Sequence, residues 1–466
     1  MTGAIKLSHF SVKEYLLSTH VEEYFRLSEK PSHLKISEIS VAYLVQFDLS
    51  ISLTAILDSS PLAEYAARYW TNHAKFGKMN ATLLKLITQL FTSKTLFTNW
   101  IQLFDIDENE SIIRLYRRAS PQPLYYASLV GIQEVLLCLL AQGADMNAKE
   151  GQYGNALQAA SYGGHEVIVK LLLEKGAEVN AEGGLFGNAL QAASYGGHEV
   201  IVELLLEKGA KVNAEGGEYG NALQAASYGG HKAIVKLLLE KGAKVNTEGG
   251  EYGNALQAAS YRGHKAIVKL LLEKGAEVNA EGGSFGNALQ AASIAGDKVI
   301  VNLLLEKGAD VNTEGGLFGN VLQAAWYEGH EKLVELLLAK GAEANTEGGE
   351  FRNALQVASY RGKGEAVKLL LEKGAEVNAE GGPFGNALQA ASFQGHQNIV
   401  KLLLEKGAEV NAEGGPFWNA LQAALCHGHK AIVKLLLKKG AEVNEAPIEG
   451  VTNPMVLRLR MEAKKQ

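Results

Sequence analysis

Histidine recurs in one register along this chain, at His165, His198, His231, His264, His330, His396 and His429. Imidazole is the commonest zinc ligand and the commonest proton shuttle, so the recurrence has to be weighed as chemistry first. Zinc needs its ligands within about 2 Å of one point. Residues that repeat one structural unit apart cannot converge that closely. Asp297 and Lys363 also interrupt the series. Each histidine is therefore expected to bond backbone near the start of a helix. Cys426, His427 and His429 form the one local cluster of metal-binding types, but neighbouring positions at a helix end diverge. Glu182-Gly183-Gly184 and its copies suggest a phosphate loop at first sight. No Lys-Ser/Thr follows, and hairpin turns account for the glycines. No Ser-His-Asp or Cys-His arrangement can be proposed, because every candidate sits at a repeated structural position. The reading is no catalytic residue, no cofactor and no metal, hence no enzyme.

The elements behind these residues follow a strict period. Asparagine stands at Asn155, Asn188, Asn221, Asn254, Asn287, Asn320, Asn353, Asn386 and Asn419, always 33 residues apart. A period of that size means stacked supersecondary units, each unable to bury its apolar face alone. In the unit at Asn155, the asparagine is a helix N-cap, and Gln158 can reach back to it in a variant capping box. A first helix then runs from Ala156 to about Tyr162 and stops at Gly163-Gly164. A second runs from about Glu166 to Lys175. Ile168, Val169, Leu171, Leu172 and Leu173 leave only Glu166, Lys170 and Glu174 as a polar stripe. A helix so apolar must be buried on two sides. Val179 to Gly184 reads as a loop with a tight turn at the glycine pair.

These residues resemble the ankyrin motif. Gly154-Asn-Ala-Leu-Gln-Ala-Ala-Ser-Tyr-Gly-Gly-His165 is similar to Gly-x-Thr-Pro-Leu-His-x-Ala-Ala-x-x-Gly-His. Leu171-Leu-Leu-Glu-Lys-Gly-Ala-Glu-Val-Asn-Ala181 resembles its second half. The departure is Asn-Ala-Leu-Gln for Thr-Pro-Leu-His, which keeps the cap chemistry with other atoms. The resemblance implies an all-α ankyrin-repeat solenoid of about ten 33-residue repeats. It implies a concave face, built by first helices and hairpin fingers, on which protein partners bind. Residues 121–150 read as a degenerate N-terminal repeat, 151–447 as nine full repeats and 448–466 as a C-terminal cap or tail.

Residues 1–120 lack the period and read as a small N-terminal helical domain. Ser60-Pro61 opens a helix with Leu62, Tyr65, Ala66, Tyr69 and Trp70 on one face. Ile36, Ile39, Ser40, Tyr43, Leu44 and Phe47 form a second stripe. Leu83, Leu84, Ile87, Leu90 and Phe91 form a third. Lys6-Leu-Ser-His-Phe-Ser-Val-Lys-Glu-Tyr-Leu16 resembles the segment after the NACHT module of fungal NACHT–ankyrin proteins. Pro61 to Trp70 and Pro123 to Ser128 are similar to the same connecting region. That resemblance implies the sensor half of a STAND-type NTPase switch. No Gly-x-x-x-x-Gly-Lys-Ser/Thr loop is present, so no nucleotide-binding residue is carried over.

Composition bounds the partners. The chain has 466 residues and a net charge of −6. The first 120 residues carry 13 basic and 12 acidic side chains, leaving 32 and 39 of the chain's 45 and 51 to the rest. A mixed, mildly acidic surface lacks the concentrated basic face that nucleic acid requires. The two cysteines, Cys138 and Cys426, lie far apart and fit a reducing compartment. No secretory leader opens the sequence, and no run approaches the ~18–20 apolar residues that span a bilayer. The expectation is an intracellular, cytoplasmic monomer with a protein partner and no contact with membrane.

Binding residues are sought where the repeats disagree. Fingertips carry Gln152, Leu185, Glu218, Glu251, Ser284, Leu317, Glu350, Pro383 and Pro416, each beside an aromatic residue. First helices end in Gly163, Gly196, Gly229, Arg262, Ala295, Glu328, Arg361, Gln394 and His427. Singular changes include Trp326, Arg352 and Trp418. Tryptophan and arginine are frequent interface anchors. The expected protein-binding set is Leu185, Glu218, Glu251, Arg262, Trp326, Glu328, Arg352, Arg361, Gln394 and Trp418.

Overall fold

The computed structural model describes residues 29–47, 53–107, 122–349 and 352–442. The expected connecting segment at Lys6–Leu16 and the tail at 448–466 lie outside the described residues. Two compact units make up the chain, residues 1–210 and 211–466. Among the described residues every regular element is a helix, and extended pairing is confined to isolated bridges in the hairpin loops.

The first unit opens with α1 (Glu29–Leu44), α2 (Leu53–Ser59), α3 (Ala63–Ala74), α4 (Ala81–Thr92) and α5 (Lys94–Leu103). The Asn80 side chain accepts from the Leu83 amide at 2.7 Å and starts α4. Ser93 follows α4 and caps α5 in turn. Trp70, Phe91, Phe97 and Trp100 are fully buried, with ring centroids 5.3 Å apart for Trp70–Trp100, Phe91–Phe97 and Phe91–Trp100. The stripe expected on α3 is displaced. Leu62 is 61% exposed, and Tyr65 and Tyr69 are also on the surface. The helix instead buries Ala63, Ala66, Ala67, Trp70 and Ala74. Small side chains let neighbouring groups reach its backbone: Ser37 Oγ donates to the Trp70 carbonyl at 3.0 Å, and Trp100 Nε1 donates to that of Ala67 at 3.0 Å. In α1, likewise, Ile39 is exposed while Ser37, Ser40, Val41 and Leu44 are buried. In α4 Leu83, Ile87, Leu90 and Phe91 are buried as read.

This helical cluster packs against the helix pair Pro123–Val130 and Gln133–Ala141. Tyr126 packs on Phe97 with centroids 5.5 Å apart. Tyr125 Oη donates to Asp107 Oδ1 at 2.6 Å, and the other Asp107 oxygen accepts the Gln152 amide at 2.5 Å. Tyr126 Oη donates to Asp105 at 2.9 Å. Burial and the neighbouring carboxylates push both phenols well above the usual tyrosine range. They stay protonated donors, which is what the buried Asp107 requires.

The repeats are built as the period indicates. The first helices run Ala156–Gly163 and Ala189–Gly196 in the first unit, and from Ala222–Gly229 to Ala420–Cys426 in the second. Second helices run from Glu166–Glu174 to Lys430–Lys438. Asn155 accepts from the Gln158 amide at 2.9 Å, and Gly164 ends the first helix at φ 75, a left-handed conformation open to glycine. In the second helix Ile168, Val169 and Leu172 are buried, while Leu171 and Leu173 are half-buried and Val167 is 59% exposed. This helix packs against its own first helix and against the second helices of both adjacent repeats, and only its outer side, with Val167, Lys170 and Glu174, is left to solvent. Leu238, the counterpart of Leu172, is fully buried.

Gln158 departs from the expected reciprocal cap: Asn155 accepts its amide, but its side chain does not return to Asn155. Its Nε2 donates to the carbonyls of Gly183 at 3.0 Å and Gly187 at 3.2 Å, in the loop of the following repeat. The reciprocal box forms at Asn188–Gln191 and Asn287–Gln290. Loop asparagines add a second row of inter-repeat bonds. Asn147 Oδ1 accepts the Glu178 amide at 3.0 Å, and Asn180 Nδ2 donates to the Gly209 carbonyl at 3.0 Å.

Candidate protein-binding face

The recurrent histidines are staples between repeats. His165 Nε2 lies 3.0 Å from the Leu129 carbonyl, and His198 Nε2 lies 2.9 Å from that of Tyr162. In the second unit His264, His330, His396 and His429 reach Tyr228, Ile294, Tyr360 and Phe393 in the same way at 2.9–3.0 Å. A carbonyl can only accept, so Nε2 carries the proton in each case. Burial holds the His165 imidazole below the usual histidine range. The histidines do bond backbone, but in the preceding repeat rather than near the start of their own second helix. Asp297 breaks the series by turning inward on its own helix, where Oδ1 accepts the amides of Val299 at 2.9 Å and Ile300 at 3.0 Å.

Alongside this scaffold runs a ladder of rings, most of them half-buried, with Phe186 and Tyr219 buried. Among the described residues, finger aromatics meet an aromatic near the end of a first helix. In the first unit Tyr153–Tyr162, Tyr162–Phe186 and Phe186–Tyr195 have centroids 4.3, 5.3 and 4.8 Å apart. In the second unit Tyr219–Tyr228, Tyr228–Tyr252 and Tyr261–Phe285 lie at 5.1, 4.5 and 4.3 Å. Further on, Tyr360–Phe384 and Phe393–Phe417 lie at 4.7 and 4.8 Å. Ile294 takes an aromatic position and interrupts the ladder.

The expected binding residues divide by position. Glu218 and Glu251 are exposed on adjacent fingertips, joined by the Glu251 amide donating to the Glu218 carbonyl at 2.7 Å. Partial burial, then the Glu251 charge, raises the Glu218 carboxyl above the usual range. Leu185 is half-buried on its finger and bonds the Gln152 carbonyl at 2.7 Å. Arg262, Glu328 and Arg361 are exposed and Gln394 half-buried at first-helix ends. Arg262 lays its guanidinium 4.9 Å from the Tyr228 centroid, and Arg361 lies 3.9 Å from that of Tyr327.

Three residues behave differently from their sequence reading. Trp326 is 1% exposed inside its first helix, so it is core and offers nothing to a partner. It stands where serine stands in most repeats, a position packed against the adjacent first helix. Arg352 and Trp418 occupy the place of Gly154, with φ 66 and φ 67. Both adopt a left-handed backbone that glycine otherwise supplies. Arg352 is exposed and pairs with Glu347 at 2.7 Å; Trp418 is 47% exposed. Cys426, His427 and His429 do not make a metal set: His427 Nδ1 lies 3.4 Å from the Ala423 carbonyl while His429 is committed to Phe393. Among the described residues no group of three or more His, Cys, Asp or Glu side chains converges. None of the described helices is long and apolar enough to cross a membrane.

Paired short helices, hairpin fingers and side-chain staples at fixed offset define an all-helical repeat scaffold whose distinguishing chemistry lies on its surface. The family model described as Ankyrin repeats (3 copies) matches residues 101–183, 124–216, 183–249, 223–315, 288–381, 321–414 and 382–447. The chain belongs to the ankyrin-repeat family, whose repeats generally mediate protein–protein interaction. The Azaphilone pigments biosynthesis cluster protein L of Monascus ruber is 37% identical over 182 residues, covering 34% of this chain and 38% of that protein. The chain thus spans well under half the length of that curated relative. The human ASB11 ankyrin repeat domain is similar with a TM-score of 0.40 and 29% identity, covering 46% of this chain and 97% of that one.

Proposed function

We propose that this chain is a protein-recognition arm and not an enzyme. Its partner lies along the face made by fingers and first-helix ends in the second unit. The observation that carries this reading is the division of labour within each repeat. Asn, Gln and His positions lock repeat to repeat, while Glu218, Glu251, Arg262, Glu328 and Arg361 change from repeat to repeat and are exposed. Half-buried rings beneath them supply rigid apolar area, which is what interface anchors use. The test is photo-crosslinking in cells of origin, with the reactive residue at positions 218, 262 and 361. Controls carry it at 236 and 269, on the opposite polar stripe of the second helices. One protein captured from the first set alone supports the reading. Equal capture from both sets, or from neither, would sink it.

A second reading makes the chain the sensing part of a STAND-type switch. It is favoured by the junction at Asp105, Asp107, Tyr125 and Tyr126, which couples the helical cluster to the first repeats through buried hydrogen bonds. Reading the native transcript through its upstream end tests this. A phosphate loop in the same frame supports it; a stop codon directly upstream of Met1 removes it.

A further inference from the structure

We propose that the break in the ring ladder at Ile294, Ala295 and Asp297 is an anchor pocket for an arginine side chain of an extended basic segment of the partner. The inference rests on the protein-recognition reading and names the chemistry of the partner.

Register is the first argument. The same sequence offset separates Arg262 from Tyr228, Arg361 from Tyr327 and His427 from Phe393, and in each case the later side chain covers the earlier ring. The same offset pairs Ala295 with Tyr261. Alanine has nothing to lay over a ring. Where glycine holds the register position, as at Gly196, the place is filled by the staple: an added Cβ would lie 2.6 Å from the His198 ring. At Ala295 the staple is gone as well, because Asp297 replaces the histidine.

The second argument is the chemistry left exposed. A depression of about 370 Å³ opens here, lined by Tyr261, Arg262, Ile294, Ala295, Asp297 and Glu328. Asp297 cannot donate a proton to the Tyr261 carbonyl as its histidine counterparts do for theirs. Among the described residues, Oδ2 of Asp297 and the Glu328 carboxylate have no hydrogen-bond partner, and the Arg262 guanidinium is held over Tyr228. The site therefore presents acceptors and a ring, while the guanidinium in its lining, that of Arg262, is committed to Tyr228. A guanidinium satisfies both at once: it stacks on aromatic faces and donates in a fork to carboxylates. Glu218 and Glu251 on neighbouring fingertips extend the negative edge, which fits further basic residues along the segment.

The test uses the full chain and a short fluorescein-labelled peptide of alternating arginine and glycine, with lysine–glycine and glutamate–glycine peptides as controls. Ala295→Arg gives Tyr261 the same cover that Arg262 and Arg361 provide elsewhere, and Asp297→His restores the residue of most other repeats. Both substitutions copy residues already tolerated in this register, and thermal melts confirm folding. The arginine peptide should bind wild type about tenfold more tightly than the lysine peptide, and each variant should weaken it about tenfold. Equal affinity for wild type and Ala295→Arg, equal affinity for the two basic peptides, or no binding of either overturns the pocket. Crosslinks from positions 218 and 361 report separately on the recognition face, so the pocket can fail while that face stands.

Discussion

The imidazole of His264 donates from Nε2 to the backbone carbonyl of Tyr228, 3.0 Å away and 36 residues back. One hydrogen bond thereby ties the start of a second helix to the end of the previous repeat's first helix. His264→Ala removes the donor and leaves the carbonyl facing a partly buried gap. The expected cost is about 1–3 kcal/mol, from the lost bond and the unsatisfied acceptor. Urea unfolding of the full chain measures it, and an unchanged midpoint would show that the bond has no net value.

Leu238 is fully buried on the second helix Lys232–Glu240. Leu238→Ala should cost about 2–5 kcal/mol through lost burial and the cavity left behind. Repeat scaffolds owe stability to nearest neighbours, so the lesion should divide unfolding into two steps. A single transition at the wild-type midpoint contradicts this.

Trp418 holds a left-handed backbone with φ 67 at a position where most repeats have glycine. Trp418→Gly relieves a conformation that costs an L-residue roughly 1–2 kcal/mol. The glycine's greater unfolded-state entropy offsets part of that, so the expected gain is about 0.5–1 kcal/mol. A lower melting temperature for the variant would mean that the indole packs more productively than its exposure implies.

His33 and His73 face each other with their Nδ1 atoms 2.6 Å apart, between α1 and α3. Burial first, and the His33 charge second, hold the His73 imidazole below the usual histidine range. The folded state then binds fewer protons than the unfolded state just below the unfolded value, near pH 6.5. Stability of the helical cluster is therefore full above that pH and declines as pH falls toward the lower folded value. Denaturant midpoints at pH 7.5 and 5.5, with the probe on Trp70 and Trp100, check the sign. His73→Gln should flatten the difference, and a midpoint that rises on acidification would reverse the assignment.

The ring ladder was half legible in sequence. The constant aromatic beside each fingertip stands out in the sequence. Its mate near the end of the first helix was hidden, because Tyr162 and Tyr153 belong to different elements and meet only when the finger folds back. Trp326 shows the opposite error. A unique tryptophan reads as an anchor, yet its place in the first helix points into the stack, where it is covered. The stripes of α1 and α3 missed for a related reason: periodicity marks that a helix has two faces, but alanines at the close approach to α1 outbid larger residues for the interior.

By itself the sequence determined the repeat, its two helices, its caps and its glycine stops. Those features are local: a capping asparagine, a left-handed glycine and a leucine-rich stripe act within a few residues of themselves. Only the tertiary structure decided which side chains bind repeat to repeat and which face outward. Gln158, Asn180 and His198 all bond to groups that the chain brings back about one repeat away. The gap at Asp297 exists only because a neighbouring repeat lines it. Such pairings depend on how units stack, and stacking brings together residues that share no local signal.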